Sequence, residues 1–346
     1  MAVYTQLSTV QISAVLKDYF GLELKAYEPV AAGIENSIYK VVSESEQTFA
    51  LTIFEAVTKD RVEAYCQVLA QLSAALQMRD AKVKIPAAII KSQLQTDFIY
   101  ALDTSACGFN VSKPIILQPW LAGQHVQSGP EVCRQLGQFL GQVSQISPTV
   151  QAEFAIHQPN LSMLIPKHQH LERINAFLPD LTRLSQADQQ FFHRAYDELE
   201  QVLDQHLNFR QSFIHGDIFC DNALAQSQQL NAVIDYFNAS WSPILLDLAI
   251  CVLDWATYKD ATLNMPQLKA MVNGFQSCAE VKSLEVAHWS AMVRLMCLRF
   301  WCTRQEYVLA CRDKGITPVA HRHPDFCAKV HEHVRAQEQT LAGLWD

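Results

Sequence analysis

The stretch Phe213-Ile214-His215-Gly216-Asp217-Ile218-Phe219-Cys220-Asp221-Asn222 sets an imidazole, two carboxylates and an amide behind a short apolar run. Its spacing is His-x-Asp-x-x-x-x-Asn, and thirteen residues past Asn222 the apolar Ala232-Val233-Ile234 ends in Asp235. Phosphoryl transfer needs such a set. One carboxylate orients an attacking hydroxyl and takes its proton, while an amide and a second carboxylate hold Mg2+ against nucleotide phosphates. Magnesium is a hard cation that takes oxygen ligands, so Asn and Asp are the right chemical types. A plainer reading exists, because Asp and Asn are common turn residues after a strand. Placement favours the first. The strand signals Ser212-Phe213-Ile214 and Ala223-Leu224-Ala225 flank the loop, and the next strand stops at Asp235. That order draws Asp217, Asn222 and Asp235 towards one place.

The elements that must position these residues are legible upstream and downstream. Ala31-Ala32-Gly33-Ile34-Glu35-Asn36-Ser37 precedes the first strand of a hairpin, 38–42 and 48–54, turned at Ser43-Glu44-Ser45-Glu46-Gln47. Its small residues would let backbone N–H groups approach a phosphate, and Asn36 and Ser37 add polar side chains. Gly33, Asn36, Ser37 and Gln118 form the expected nucleotide-binding set. Ser8 is placed to cap a helix over 8–20, and apolar spacing predicts another over 59–78. Further strands are expected at 87–91, 97–101 and 114–118. Helices are expected at 130–146, 187–207, 245–258, 266–278 and 283–312. The fold class is therefore α+β, with a strand-rich part over 1–119 and a larger helical part over 120–346.

Bulk properties narrow the classes. A chain of 346 residues with 49% apolar residues can bury a large core. Its formal charge of −8 argues against a nucleic-acid partner, which calls for a basic face. The ten cysteines form no CxxC pair, unlike the dense framework of a small secreted domain. The N-terminus shows no basic region followed by a long apolar one, and apolar runs are broken before spanning length. A cytoplasmic protein without a membrane partner is the expectation.

On the segments AAGIENS (31–37), FALTIFE (49–55), KPIILQPWLAG (113–123), HGDIFCDN (215–222) and VIDYFNAS (233–240), the sequence resembles the aminoglycoside phosphotransferase and choline kinase superfamily. LLDLAICVLDW (245–255) and RLMCLRFWCTR (294–304) extend the resemblance towards its bacterial homoserine kinase branch. The resemblance implies a protein-kinase-like two-lobe fold and ATP with Mg2+ as cofactors. It implies a small hydroxylated substrate, L-homoserine in threonine synthesis. It makes Asp217 the catalytic carboxylate, Asn222 and Asp235 the metal ligands, and His215 and Asp247 structural. One departure stands out. Many relatives carry Lys or Arg on the third strand for the phosphates, where this chain has Thr52; Lys40 is a candidate cation or, more in keeping with its place on a strand, a solvated lysine. Ser144 also stands where relatives often have histidine.

Homoserine offers a carboxylate, which suits a bidentate arginine, and an ammonium, which suits Asp or Glu. Arg294, Arg299 and Arg304 are spaced by five, about 140° apart on a helix, so they cannot share a face. Arg299, among Leu298, Phe300 and Trp301, is the expected carboxylate ligand or else a structural ion pair. Asp254 is the expected ammonium ligand or else a helix-end carboxylate, and Tyr236 and Asn238 could line the pocket. Rival readings are a kinase for choline, an amino sugar, an aminoglycoside or methylthioribose, and an inactive kinase-like binding module. The HxH pairs at His168, His321 and His331 lack a second half at zinc-ligand spacing.

Overall fold

The computed structural model describes residues 5–30, 36–88, 100–102, 113–157, 174–202, 208–319 and 323–346. Gly33, most of the strand expected at 87–91, and residues 97–99 lie outside the described residues. The chain divides into two compact units. One comprises Met1–Gly123, Val150–Leu164 and Ala232–Ile234; the other comprises Gln124–Thr149, Ile165–Asn231 and Asp235–Asp346.

In the first unit, helix α1 (Thr9–Val15) starts at Ser8, whose hydroxyl accepts from Gln11 N while the Gln11 side chain accepts from Ser8 N. This reciprocal cap satisfies two otherwise orphaned donors. A π turn over Leu16–Phe20 follows. The sheet is antiparallel, in the order β1-β2-β3-β5-β4. Its strands are β1 (Leu24–Pro29), β2 (Ser37–Ser43), β3 (Thr48–Ile53), β4 (Tyr100–Leu102) and β5 (Lys113–Pro119). Helix α2 covers Lys59–Met78, as the apolar spacing predicts.

Register decides which side chains meet. Ser37 pairs with Ile53 and Ile53 with Ile115, while Ile38 pairs with Thr52 and Thr52 with Ile116. Because side chains alternate across a sheet, one face carries Tyr39, Val41, Leu51, Ile53, Ile115 and Leu117. These pack with Ile12, Val15 and Leu16 of the α1 segment in a buried cluster. Thr52 and Gln118 belong to the opposite face.

The second unit is mainly helical. It carries α3 (Pro130–His157) as far as Thr149, and α4 (Gln186–Val202), α5 (Leu246–Asp254), α6 (Met265–Gln276), α7 (Ser283–Ala287), α8 (Trp289–Asp313), α9 (Pro324–Ala336) and α10 (Glu338–Ala342). Short strands β6 (Gln124–His125), β8 (Ala223–Gln226) and β9 (Gln229–Val233) form one sheet, and β7 (Gln211–Ile214) pairs with β10 (Ser240–Pro243). Helices α3 and α6 cross where neither has room for a side chain. A Cβ on Gly137 would sit 2.0 Å from Met271 O, and one on Gly274 2.1 Å from Arg134 O. Aromatic rings fill the space between α4 and α8, with Phe191 and Phe192 lying 5.3 and 6.1 Å from Trp301.

Two differences from the expected elements have physical causes. The helix expected over 283–312 breaks at His288, which sits at φ −107°, ψ 7°. Before the break, buried Glu285 caps the backbone of Lys282 and pairs with Arg210. Strand β10 reads Ser-Trp-Ser-Pro, without an apolar alternation to mark it. Among the described residues, no helix is long and apolar enough to cross a membrane.

Candidate active site

The loop after β7 turns sharply because of Gly216. Its φ is +79°, and a Cβ there would meet Asn238 O at 2.3 Å, so both backbone and space demand glycine. His215 is buried beneath the turn, with its ring 4.4 Å from that of Tyr236. Its Nδ1 accepts the Asp217 backbone N–H at 3.2 Å, which puts the neutral ring's proton on Nε2. The next residues close on themselves. Asp217 O accepts from Phe219 N at 2.9 Å and from Asn222 Nδ2 at 2.8 Å, and Asn222 N donates to Phe219 O at 3.0 Å. A 3-10 turn over Cys220–Asn222 completes the loop.

Helix α5 holds this loop from one face. Asp247 Oδ2 accepts from His215 N at 2.7 Å, and its Oδ1 accepts from Gly216 N at 2.9 Å. Two turns further on, Trp255 Nε1 donates to Ile218 O at 2.8 Å, and Asp254 Oδ2 accepts from Cys220 N at 2.7 Å. Residues seven and eight apart share a helix face, so a single helix grips residues 215–220 at both ends. Asp247 is only 3% exposed. Burial pushes its carboxyl up to about 6, against the pull of the two N–H bonds and the Arg299 charge. Arg299, 2% exposed on α8, donates from Nη1 to Gly216 O at 3.0 Å, and its guanidinium lies 4.2 Å from the Phe300 ring.

The sequence thus brings His215, Asp217, Asn222, Asp247, Asp254 and Arg299 into one assembly. In it Arg299 and Asp254, the expected ligands for an acceptor's carboxylate and ammonium, bond to the loop backbone. Tyr236 is buried against His215 and Phe213, and Asn238 meets the loop through its backbone at Gly216.

Asp235 is exposed and adopts a left-handed backbone, φ 64°, at the head of a 3-10 turn over Tyr236–Asn238. Asn222 spends its amide nitrogen on Asp217 O, which leaves its carbonyl oxygen for another partner. An amide oxygen and an exposed carboxylate are the hard donors that Mg2+ selects, so these residues fit that ion.

In the first unit, Asn36 and Ser37 are buried at the head of β2. Ser37 Oγ accepts from Thr5 N at 2.9 Å and donates to Glu55, while Asn36 Oδ1 accepts from Glu55 N at 3.4 Å. Gln118 donates to Pro86 O, and Thr52 is buried. Lys40 pairs with Glu28 at 2.8 Å and lies 5.2 Å from the Trp120 ring. Thr5, Glu55 and Lys113 escape a reading of the sequence, because the three lie 50 to 108 residues from one another.

Residues 26–281 match the family described as "Phosphotransferase enzyme family". A homoserine kinase of Methylobacillus flagellatus is 24% identical, across 100% of this chain and 99% of its own length. One from Neisseria meningitidis serogroup B is 27% identical over 88% of this chain and 90% of that protein. Among solved structures, the amicoumacin kinase hAmiN in complex with AMP-PNP, Ca2+ and Ami superposes with a TM-score of 0.66 at 14% identity, covering 96% of this chain and 94% of that one. A microcompartment-associated aminopropanol kinase gives 0.64 at 15% identity, covering 96% and 98%. The α+β fold is that of these kinases.

Proposed function

Since the chain belongs to the phosphotransferase enzyme family, we propose that it moves the γ-phosphoryl group of ATP to the hydroxyl of L-homoserine, a step towards threonine. The loop carries this reading. Asp217 stands on a turn pinned at His215 N, Gly216 N and O, Asp217 N and O and Ile218 O, as an in-line displacement requires of the group that orients the nucleophile. Homoserine as acceptor is supported by the relatives of that name, which align along nearly the whole chain. ATP is supported by the AMP-PNP of a kinase with the same fold.

In this mechanism the Asp217 carboxylate accepts the acceptor's hydroxyl proton as its oxygen attacks the γ-phosphorus and the bond to the β–γ bridging oxygen breaks. Asn222 and Asp235 would hold Mg2+, which neutralises the phosphate charge. His215, Asp247 and Arg299 fix the loop that carries Asp217. Such a reaction belongs in the ATP-rich cytoplasm.

An ADP-release assay tests the proposal across homoserine, other hydroxylated amino acids, choline, amino sugars and aminoglycosides. Homoserine is expected to give the highest kcat/KM. Asp217→Asn should lower kcat by about 10²–10⁴-fold while Mg·ATP still binds. If no acceptor turns over faster than in the Asp217→Asn control, the enzymatic reading fails.

A further inference from the structure

We propose that Glu55 is a positioning residue of the nucleotide site, held by Thr5 and Lys113 so that it fixes the turn at Asn36 and Ser37. The proposal rests on the reading of Asn36 and Ser37 as part of that site, and it adds residues no motif assigns.

The register puts these groups together. Glu55 lies two residues beyond Ile53, and Lys113 two before Ile115, while Ser37, Ile53 and Ile115 stand side by side across the sheet. The ladder runs on through Phe54 N donating to Pro114 O at 2.9 Å. Alternation therefore sends Ser37, Glu55 and Lys113 to one face, and the contacts agree. Glu55 Oε1 accepts from Thr5 N at 3.1 Å and from Ser37 Oγ; its Oε2 accepts from Thr5 Oγ1 at 3.1 Å and from Lys113 Nζ. Lys113 Nζ also donates to Thr5 Oγ1 at 2.8 Å.

Residue 55 thus grips consecutive residues by two routes, Asn36 through its backbone N–H and Ser37 through its carboxylate. The N-terminal segment is stapled alongside. Tyr39 Oη donates to Thr5 O and accepts from Leu7 N, both at 2.8 Å. Burial opposes the charge on Glu55, but its bonds to Lys113, Ser37 and Thr5 hold the carboxyl below its ordinary range.

Two roles can be separated by geometry. Thr52, where relatives carry a phosphate-binding cation, faces the other side of the sheet from Lys113. Lys113 therefore neutralises Glu55 and does not substitute for that cation. What the cluster fixes is the side chains of Asn36 and Ser37 at the head of β2. A turn that offers backbone N–H groups to a phosphate works only when its ends are fixed.

The test uses the full chain with kcat, both KM values and calorimetric Mg·ATP binding. Glu55→Ala should raise the nucleotide KM about tenfold, the loss of one charge-assisted bond, and leave the acceptor KM unchanged. Glu55→Gln should recover most of that loss, because its amide oxygen still accepts from Thr5 N. Thr5→Val removes one hydroxyl with little risk to folding and should raise the nucleotide KM about threefold; it decides the matter if Glu55→Ala does not fold. Both KM values rising together, or a lower Tm with both unchanged, would overturn the proposal alone. Wild-type chain that binds no Mg·ATP would overturn the functional reading and this proposal with it.

Discussion

Asp247 and Glu55 each fix a backbone turn with a carboxylate, yet their settings are opposite. Asp247 works inside the helical unit, 3% exposed, with two backbone N–H groups as its direct partners. Arg299 lies near enough to act on it by charge alone. Glu55 sits at a sheet end with its side chain 12% exposed, and its partners come from three separate stretches of chain around one lysine. A dry carboxylate bonded to N–H groups is a rigid fixture whose loss strands donors without water. A partly wet ion pair is softer, screened by salt and easily replaced by solvent. The loop that carries Asp217, the proposed catalytic carboxylate, is thus given the stiffer support.

The largest expected effect tests this contrast directly. Asp247→Ala should cost about 3 kcal/mol of stability or more, because two buried N–H groups lose their acceptor. Glu55→Ala should cost about 1–2 kcal/mol and less still in high salt. Urea unfolding of both variants at two salt concentrations measures it, and equal costs would erase the distinction.

Asp254 offers an intermediate case, since it grips the same loop from the same helix but is exposed. Asp254→Ala should cost about 1 kcal/mol and lower kcat, and Asp254→Asn, which keeps an acceptor oxygen for Cys220 N, should restore both. A raised acceptor KM in both variants with kcat intact would instead make Asp254 the ligand of an acceptor ammonium.

The smallest effect is in the pH dependence, where the two carboxylates should have opposite signs. The folded pKa of Asp247 is raised from 3.8 to about 6. The folded chain takes up that proton first, and stability is gained as pH falls from about 6 towards 3.8. Glu55 is lowered from 4.5, so its contribution is full above that value and is lost as pH falls through the folded pKa. The Asp247 slope is on the order of 1 kcal/mol per pH unit. Unfolding of wild type, Asp247→Asn and Glu55→Gln from pH 7 down to the acid side of 4.5 resolves the two signs. Wild type should gain on Asp247→Asn on acidification and lose its advantage over Glu55→Gln.

Much of this was readable in advance wherever one short segment carries the whole signal. The spacing of His215, Asp217 and Asn222 lies within eight residues, and helix α2 announces itself through Val62, Cys66 and Leu69. Partnerships across the chain are another matter. Arg299 reads as inward-facing from its apolar neighbours, but nothing in those neighbours says that Gly216 O lies 3.0 Å away. Strand β10 and Lys113 become intelligible only once register sets their neighbours. Local pattern specifies elements; long-range register specifies who meets whom.

The bond from Asn222 Nδ2 to Asp217 O also limits how this loop can change. Replacing an amide ligand with a carboxylate is the simplest way to strengthen a site for a divalent ion. At this position that change would remove the Asn222 donor and set a carboxylate against the Asp217 carbonyl, which would keep the Phe219 N–H bond. In the proposed mechanism a carboxylate here would bind the metal at the cost of one of the two bonds to the carbonyl of Asp217, the group proposed to take the proton. If Asn222 and Asp235 hold the metal as proposed, ion preference is adjusted with less disturbance to that carbonyl at the exposed Asp235.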